Sequence, residues 1–260
     1  MIKSIKKIAK QIPYSWKIYE FLLISWDSAC RIISGKPKRF CPVCQKTSLY
    51  FFPFFINGKI MDKRCLNCYS QGRHRLSYTF LKEKTDFFAG NAKKVLHIAP
   101  EPCFQPLFEK QYGENYITAD LFTPTVKVKM DIMNIQCADE TFDIIYCSHV
   151  LEHVSDDRKA MSEFFRVLKK GGWAILNVPV LKSDKTHDDP SITDPKERLI
   201  FYGQDDHVRA YGPDYADRLR DAGFSVDVVH AKDMMSDYDM ERMELQYNLA
   251  CLDTFYCIKS

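Results

Sequence analysis

No stretch of this 260-residue chain reaches the roughly 18 consecutive apolar residues that a membrane span needs. The most apolar tract, FLLISW, is bracketed by Glu20 and Asp27. There is no internal repeat and no low-complexity tract, which removes solenoids and compositionally biased linkers. Little net charge is present either: the balance is only +3. Residues 1–39 carry nine Lys and Arg against Glu20 and Asp27, a local +7, so the remainder is −4 and mildly acidic. A signal peptide is not expected, because the Lys-rich start is not followed by a long apolar core with a small-residue cleavage site. Apolar and charged fractions of 46% and 27% exclude a disordered chain and leave room for one substantial core with a small appendage.

Cysteine is the residue in excess, at ten. Without a secretory signal, a reducing cytosol and a bound metal fit these thiols better than disulfides do. Cys41 and Cys44 lie in C-P-V-C, and Cys65 and Cys68 in C-L-N-C. Two such pairs set four thiolates at the corners of a tetrahedron, as in a structural zinc site with no position left for substrate water. Between the pairs, apolar runs flank Asn57-Gly58, the signature of a hairpin turn. Residues 40–72 therefore read as a zinc ribbon.

Ahead of it, Ile2, Ile5, Ile8, Ala9 and Ile12 share one helical face, opposite Lys3, Lys6, Lys7 and Lys10, up to Pro13. This basic helical arm, residues 1–39, suits either a peripheral contact of residues 1–12 with an anionic membrane surface or packing on the body. The expected location is cytoplasmic, with that peripheral contact as the variant. After the ribbon, Gly72-Arg73-His74-Arg75 opens a helix-period segment to Phe87, and it reads as either a phosphate-binding helix start or an exposed linker.

The centre of the chain is Thr141 to Leu176. An apolar run of strand length, Phe142 to Cys147, leads through cap residues into a helix with Ala160, Phe164, Val167 and Leu168 on one face. Gly171-Gly172 is expected to stop that helix before a second strand from Trp173 to Val178. Strand, crossover helix and strand imply parallel neighbours in one sheet. Within this unit, His149, Glu152 and His153 also fit the H-x-x-E-H pattern of a zinc protease, which requires both histidines one turn apart on a helix.

FDIIYCSHVLEHV followed by FFRVLKKGGWAILNVP resembles the fourth strand, helix and fifth strand of class I, Rossmann-like S-adenosylmethionine-dependent methyltransferases. CPVC, CLNC with GRHR, VLHIAPEP, YITADL, CSHVLEHV and DDPSITDP with GQDDHVRAYG together resemble a narrower bacterial group of such proteins with an N-terminal zinc ribbon. The likeness runs from about Phe40 to Ser260, and HIAPEP is particular to that group. It implies an α/β fold: a Rossmann-like seven-stranded methyltransferase sheet over residues 73–260, whose last strand, Thr254 to Ile258, inserts antiparallel. The usual G-x-G-x-G loop after strand one is missing. His97, Ala99, Pro100 and Glu101 stand there, which departs from the standard cofactor cradle.

By the resemblance, these four residues line the S-adenosylmethionine site, with Glu101 reaching the methionine ammonium. Asp120, ending strand two, would accept the ribose hydroxyls; Asp131 and Ile132 would contact adenine; Ser148 would close strand four. Either aspartate also suits a turn cap. A polar insertion over residues 180–211 follows strand five and is expected to act as lid and substrate wall. His207, beside Arg209 and Tyr211, is the first candidate for a catalytic base, or else orders the lid; His149 at the end of strand four is the second. The implied activity is methylation of an O or N acceptor on a small or sugar-like molecule. Two alternatives stay open: an RNA methyltransferase whose zinc ribbon binds RNA, and a non-catalytic methyltransferase-fold binding module.

Overall fold

The protein's structure, a computed structural model, describes residues 39–56, 59–90, 92–182, 184–247, 250 and 252–260. The basic arm except Arg39, its membrane-surface contact and the Asn57-Gly58 turn fall outside these residues. No helix among the described residues is long and apolar enough to cross a membrane.

The apolar runs read from the sequence become adjacent strands because each is buried on both faces. Val95–Ile98 (β5), Phe142–Ser148 (β8) and Leu168–Asn177 (β9) pair in parallel. Their side chains alternate between two cores, as a period of two requires. Leu96, Ile98, Phe142, Ile145, Cys147, Ala174 and Leu176 face one core, shared with Phe164 of the helix Asp157–Val167 (α3) and Leu219 of Tyr215–Asp221 (α5). Val95, Ile144, Tyr146, Trp173 and Ile175 face the other, covered by Phe80 of Gly72–Glu83 (α1) and Phe108 of Gln105–Tyr112 (α2).

Tyr116–Asp120 (β6), Val128–Lys129 (β7), Ser225–His230 (β10) and Asp253–Ile258 (β11) complete seven strands in the order β10-β11-β9-β8-β5-β6-β7. β11 runs antiparallel to both neighbours and the rest are mutually parallel, as the family resemblance implies. The edge strand β7 is only two residues long.

Gly171-Gly172 does not cap the crossover helix. α3 ends at Val167, and Leu168 already pairs with Phe142 as the first residue of β9. The register slips between that pair and Ile144 with Trp173, so residues 169–172 bulge out of the ladder. Gly171 takes φ of 72° there, and a Cβ on Gly172 would stand 2.8 Å from the Asp143 carbonyl oxygen. The diglycine thus serves a bulge beside backbone rather than a helix end. Gly172→Ala is expected to cost about 1–3 kcal/mol through that overlap, read by denaturant unfolding; an unchanged midpoint would contradict the close packing.

The ribbon consists of two hairpins: Arg39–Cys41 (β1) with Lys46–Ser48 (β2), and Phe52–Ile56 (β3) with Lys59–Arg64 (β4). Its Cys41, Val43, Phe51 and Cys65 join the second core, so it is part of the body. The Met-rich excursion after β10 explains its composition here. Its short helices Ala231–Met234 (α6) and Asp237–Arg242 (α7) pack Met234, Met235, Met240 and Met243 around Leu76, Leu245 and Phe40. Flexible thioethers fill the irregular seam between ribbon and sheet. Glu244, 1% exposed, accepts from Arg39 Nε at 2.6 Å and Lys63 Nζ at 3.0 Å and pins the same seam.

Candidate functional site

Parallel strands end on one edge, so the register that pairs Ile98 with Ala119 and Cys147, and Ser148 with Asn177, brings their following loops together. Ligands of open α/β sheets bind outside this edge. Five of the chain's seven histidines lie in the segments gathered here: His74, His97, His149, His153 and His207.

In the loop after β5, Ala99 adopts φ of 48°, the left-handed conformation that glycine usually supplies. Ala99 thus holds a conformation open to glycine at no cost, at a strain of about 1–3 kcal/mol. Its N–H still donates to the Ala119 carbonyl at 2.8 Å. Pro100 follows, half-buried, with its carbonyl accepting from Gln105 Nε2. Glu101 is 8% exposed; its Oε2 lies 2.6 Å from His97 Nε2, and His97 Nδ1 lies 2.7 Å from the Tyr116 hydroxyl. This chain fixes the carboxylate and leaves Oε1 without a partner, 4.0 Å from the equally unpartnered His74 Nε2. Buried polar atoms seldom stay unpaired in a native protein, so this gap has the polarity of a ligand position.

His74 reaches the gap because it is the third residue of α1, where its Nδ1 accepts the Gln71 N–H at 3.1 Å. The GRHR segment is thus neither an exposed linker nor a free helix start, for Gly72, His74 and Arg75 are buried. Burial, reinforced by the neighbouring Arg73 guanidinium, holds the His74 imidazole well below the ordinary histidine range. Arg73 remains half-exposed, with its buried Nε unpartnered.

Asp120 and Asp131 both cap their own turns. Asp120 Oδ1 accepts from Phe122 N at 2.7 Å, and Asp131 Oδ1 accepts from Met133 N at 2.9 Å. Each keeps its second oxygen for other use. Ile132 is buried in the core beneath this turn, and Ser148 is 7% exposed at the end of β8.

Beyond Ser148 the chain does not form the helix that a zinc protease needs. His149 has φ of 58°, and Leu151–His153 is a single 3-10 turn. That reading is excluded, since the two histidines cannot present one helical face. Instead His149 Nδ1 lies 3.3 Å from Glu152 Oε1. Burial and Arg73 depress the His149 pKa against the pull of Glu152. Burial works to raise the Glu152 pKa, but the His149 contact and charge bring it below the usual carboxylate value.

The insertion folds over this turn. It carries the helix Pro195–Tyr202 (α4), begins and ends with Val180 bridged to Tyr211, and donates Val208 N–H to the Glu152 carbonyl at 2.9 Å. Arg209, 2% exposed, donates to the Leu151 carbonyl at 2.7 Å and to those of Val154 and Ser155, while the Tyr211 hydroxyl lies 2.8 Å from Asp157 Oδ2. Arg209 and Tyr211 are therefore anchors of the insertion rather than a catalytic neighbourhood. His207 is only 1% exposed; its Nδ1 lies 2.9 Å from the Tyr202 carbonyl and its Nε2 has no partner. Burial lowers its pKa.

At the ribbon, Cys41 and Cys68 sulfurs lie 3.6 Å apart and Cys44 and Cys65 sulfurs 3.7 Å apart, with no disulfide. A tetrahedral metal with bonds of about 2.3 Å to sulfur has edges of about 3.8 Å, so the four-cysteine cluster has the dimensions of one. His74 is the site residue that sequence reasoning did not assign, and Glu152 entered it only through the protease pattern. GRHR marked His74 as part of the likeness, but nothing in it shows which residue of the helix turns inward.

The order of the sheet, with one antiparallel strand next to last, already fixes the fold type. Residues 85–176 match a family described as a methyltransferase domain. The match covers roughly a third of the chain, from before β5 into β9. The fold is a Rossmann-like methyltransferase fold. No curated protein matches the sequence. Among solved structures, the S-adenosylmethionine-dependent methyltransferase from Mesorhizobium loti is 13% identical, with a TM-score of 0.48 over 70% of this chain and 96% of that one. The SAM-dependent methyltransferase from Archaeoglobus fulgidus is 16% identical, with a TM-score of 0.43 over 68% and 90%. Phosphoethanolamine N-methyltransferase 2 of Haemonchus contortus, solved with S-adenosylhomocysteine, is 15% identical, with a TM-score of 0.43 over 65% and 50%.

Proposed function

We propose that this chain is an S-adenosylmethionine-dependent methyltransferase that acts on an oxygen or nitrogen of a small or sugar-like molecule, with a structural zinc in residues 40–72 and a lid over residues 180–211. The observation that carries the reading is the loop after β5, where Ala99 keeps the glycine conformation and Glu101 is held with a bare oxygen at the strand ends.

The residues fit the cofactor. Glu101 Oε1 suits the methionine ammonium as a charge-assisted acceptor, and the second oxygen of Asp120 suits a ribose hydroxyl. Bound there, S-adenosylmethionine would supply an electrophilic methyl carbon. Positioning the acceptor is most of what the protein must contribute. An acceptor that must also lose a proton finds His149, whose lowered pKa leaves it neutral near pH 7 and whose Nδ1 is oriented by Glu152. The mild acidity beyond residue 39 favours a small acceptor over RNA, which normally needs a basic surface. Cys41, Cys44, Cys65 and Cys68 would hold the zinc, all four positions being filled by protein.

Asp120→Ala is expected to weaken S-adenosylmethionine binding by about 1.5–3 kcal/mol, the range for a hydrogen bond to a charged group. Calorimetric titration of the wild type and the variant measures this. Equal affinities, or a wild type that fails to bind at millimolar cofactor, would replace the enzyme reading with that of a binding module.

A further inference from the structure

We propose that Glu152, His153 and His207 form a second metal site, distinct from the cysteine cluster, that binds one divalent first-row ion between the turn after β8 and the insertion. One ligand atom from each of the three lies within 4.8 Å of the others. Glu152 Oε2 and His207 Nε2 are buried and have no hydrogen-bond partner. Both residues are only 1% exposed, where an unpaired polar atom is costly, and an arrangement meant only to hold the insertion down would have closed into direct hydrogen bonds.

Each residue is also held by its other polar atom, as metal ligands commonly are. His207 Nδ1 donates to the Tyr202 carbonyl at 2.9 Å, which leaves Nε2 with its lone pair free. His153 Nδ1 lies 3.3 Å from the Asp206 carbonyl, which frees its Nε2 in the same way. His149 occupies Glu152 Oε1 and leaves Oε2. The two imidazole rings meet edge to face, with centroids 4.7 Å apart. Donors on one ion with bonds of about 2.0–2.2 Å stand about 3 Å apart, so the cluster must tighten. The exposed His153, at the end of its short turn, is the ligand free to swing inward. The insertion supplies His207 and is itself fixed to the turn through Val208 and Arg209, so lid and strand end share the ion.

Two imidazoles and one carboxylate suit manganese, iron, cobalt, nickel or zinc, and leave positions open for oxygen donors. This makes His207 a ligand rather than the base its sequence position suggests. If methyl transfer also holds, those open positions would take a hydroxyl of the acceptor and ease loss of its proton to solvent or His149, which selects an oxygen-bearing acceptor. That last step rests on the methyltransferase reading; the ion does not.

The test uses the full chain with its cysteine cluster already saturated with zinc. It is dialysed in turn against manganese, cobalt and zinc, and bound metal is counted by mass spectrometry. One equivalent beyond that of the ribbon is expected with at least one of the three. His153→Ala, at an exposed position that leaves the fold intact by circular dichroism, should bind it at least about tenfold more weakly, and Glu152→Gln should do likewise. No extra equivalent with any ion, or wild-type affinity in both variants, overturns the proposal. Metal is counted without cofactor, so this failure is separate from a failure to bind S-adenosylmethionine.

Discussion

The proposed zinc is expected to be released in Cys65→Ser, with residues 39–70 unfolding while the seven-stranded sheet persists. Cys65 is 1% exposed and lies 3.7 Å from Cys44 across the cluster, and it also packs in the second core. Metal bound by four thiolates is folding energy for so small a unit, with apparent values of about 10–16 kcal/mol in isolated zinc modules. Two-stranded hairpins with only three to six residues per strand are marginal without such a centre. In cobalt-substituted protein, the sulfur-to-metal charge-transfer band should vanish in the variant, a readout specific to thiolate ligands. Hydrogen exchange should then show lost protection in the ribbon and retained protection in β5, β8 and β9. A band of wild-type intensity, or loss of the whole sheet with the ribbon, would contradict the division of labour drawn here.

Arg75→Met should be the most destabilising change outside the cluster, at about 3–5 kcal/mol. Arg75 is fully buried, and burial lowers its pKa even against the attraction of Asp62. It donates from Nε to the Met243 carbonyl at 2.7 Å, from one terminal nitrogen to Ser70 at 2.6 Å, and to Lys63 at 3.1 Å from both. Its guanidinium also lies 4.4 Å from the Phe51 ring centroid. One side chain thus joins the second knuckle, β4 and the excursion after β10. Methionine fills much of the volume but takes the donor from the Met243 carbonyl, while Ser70 still accepts from Cys65 N at 2.9 Å; a buried orphan costs about 1–3 kcal/mol. Guanidinium unfolding of the two proteins gives the difference; a loss below about 1 kcal/mol would mean that water or a neighbour satisfies that carbonyl.

Much of the architecture was legible in the chain. Runs such as Phe142 to Cys147 are apolar at every position because both faces of a parallel strand are covered, and that pattern needs no tertiary information. The paired C-x-x-C spacing likewise determines a tetrahedral cluster, since a knuckle of this length brings its two sulfurs to one centre. The end of α3 was not legible. A diglycine after a helix period reads as a cap, and only the ladder with Phe142 shows that Leu168 has already left the helix. HVLEH was misleading for a related reason: five letters with helical spacing cannot show that His149 adopts a left-handed backbone.

What the sequence by itself determined is the order of the strands, the four sulfurs and the acids at the strand ends, because each follows from local period, spacing or position in a known order. What only the tertiary structure decided is which buried atoms meet. His74 opposite Glu101, Arg75 against the Met243 carbonyl, and His207 over Glu152 and His153 are contacts between segments about 30 to 170 residues apart in the chain, closed by the sheet and its insertion. Sequence spacing constrains neighbours within a turn or a knuckle; the burial that leaves Glu101 Oε1 and His207 Nε2 bare arises only when distant segments pack.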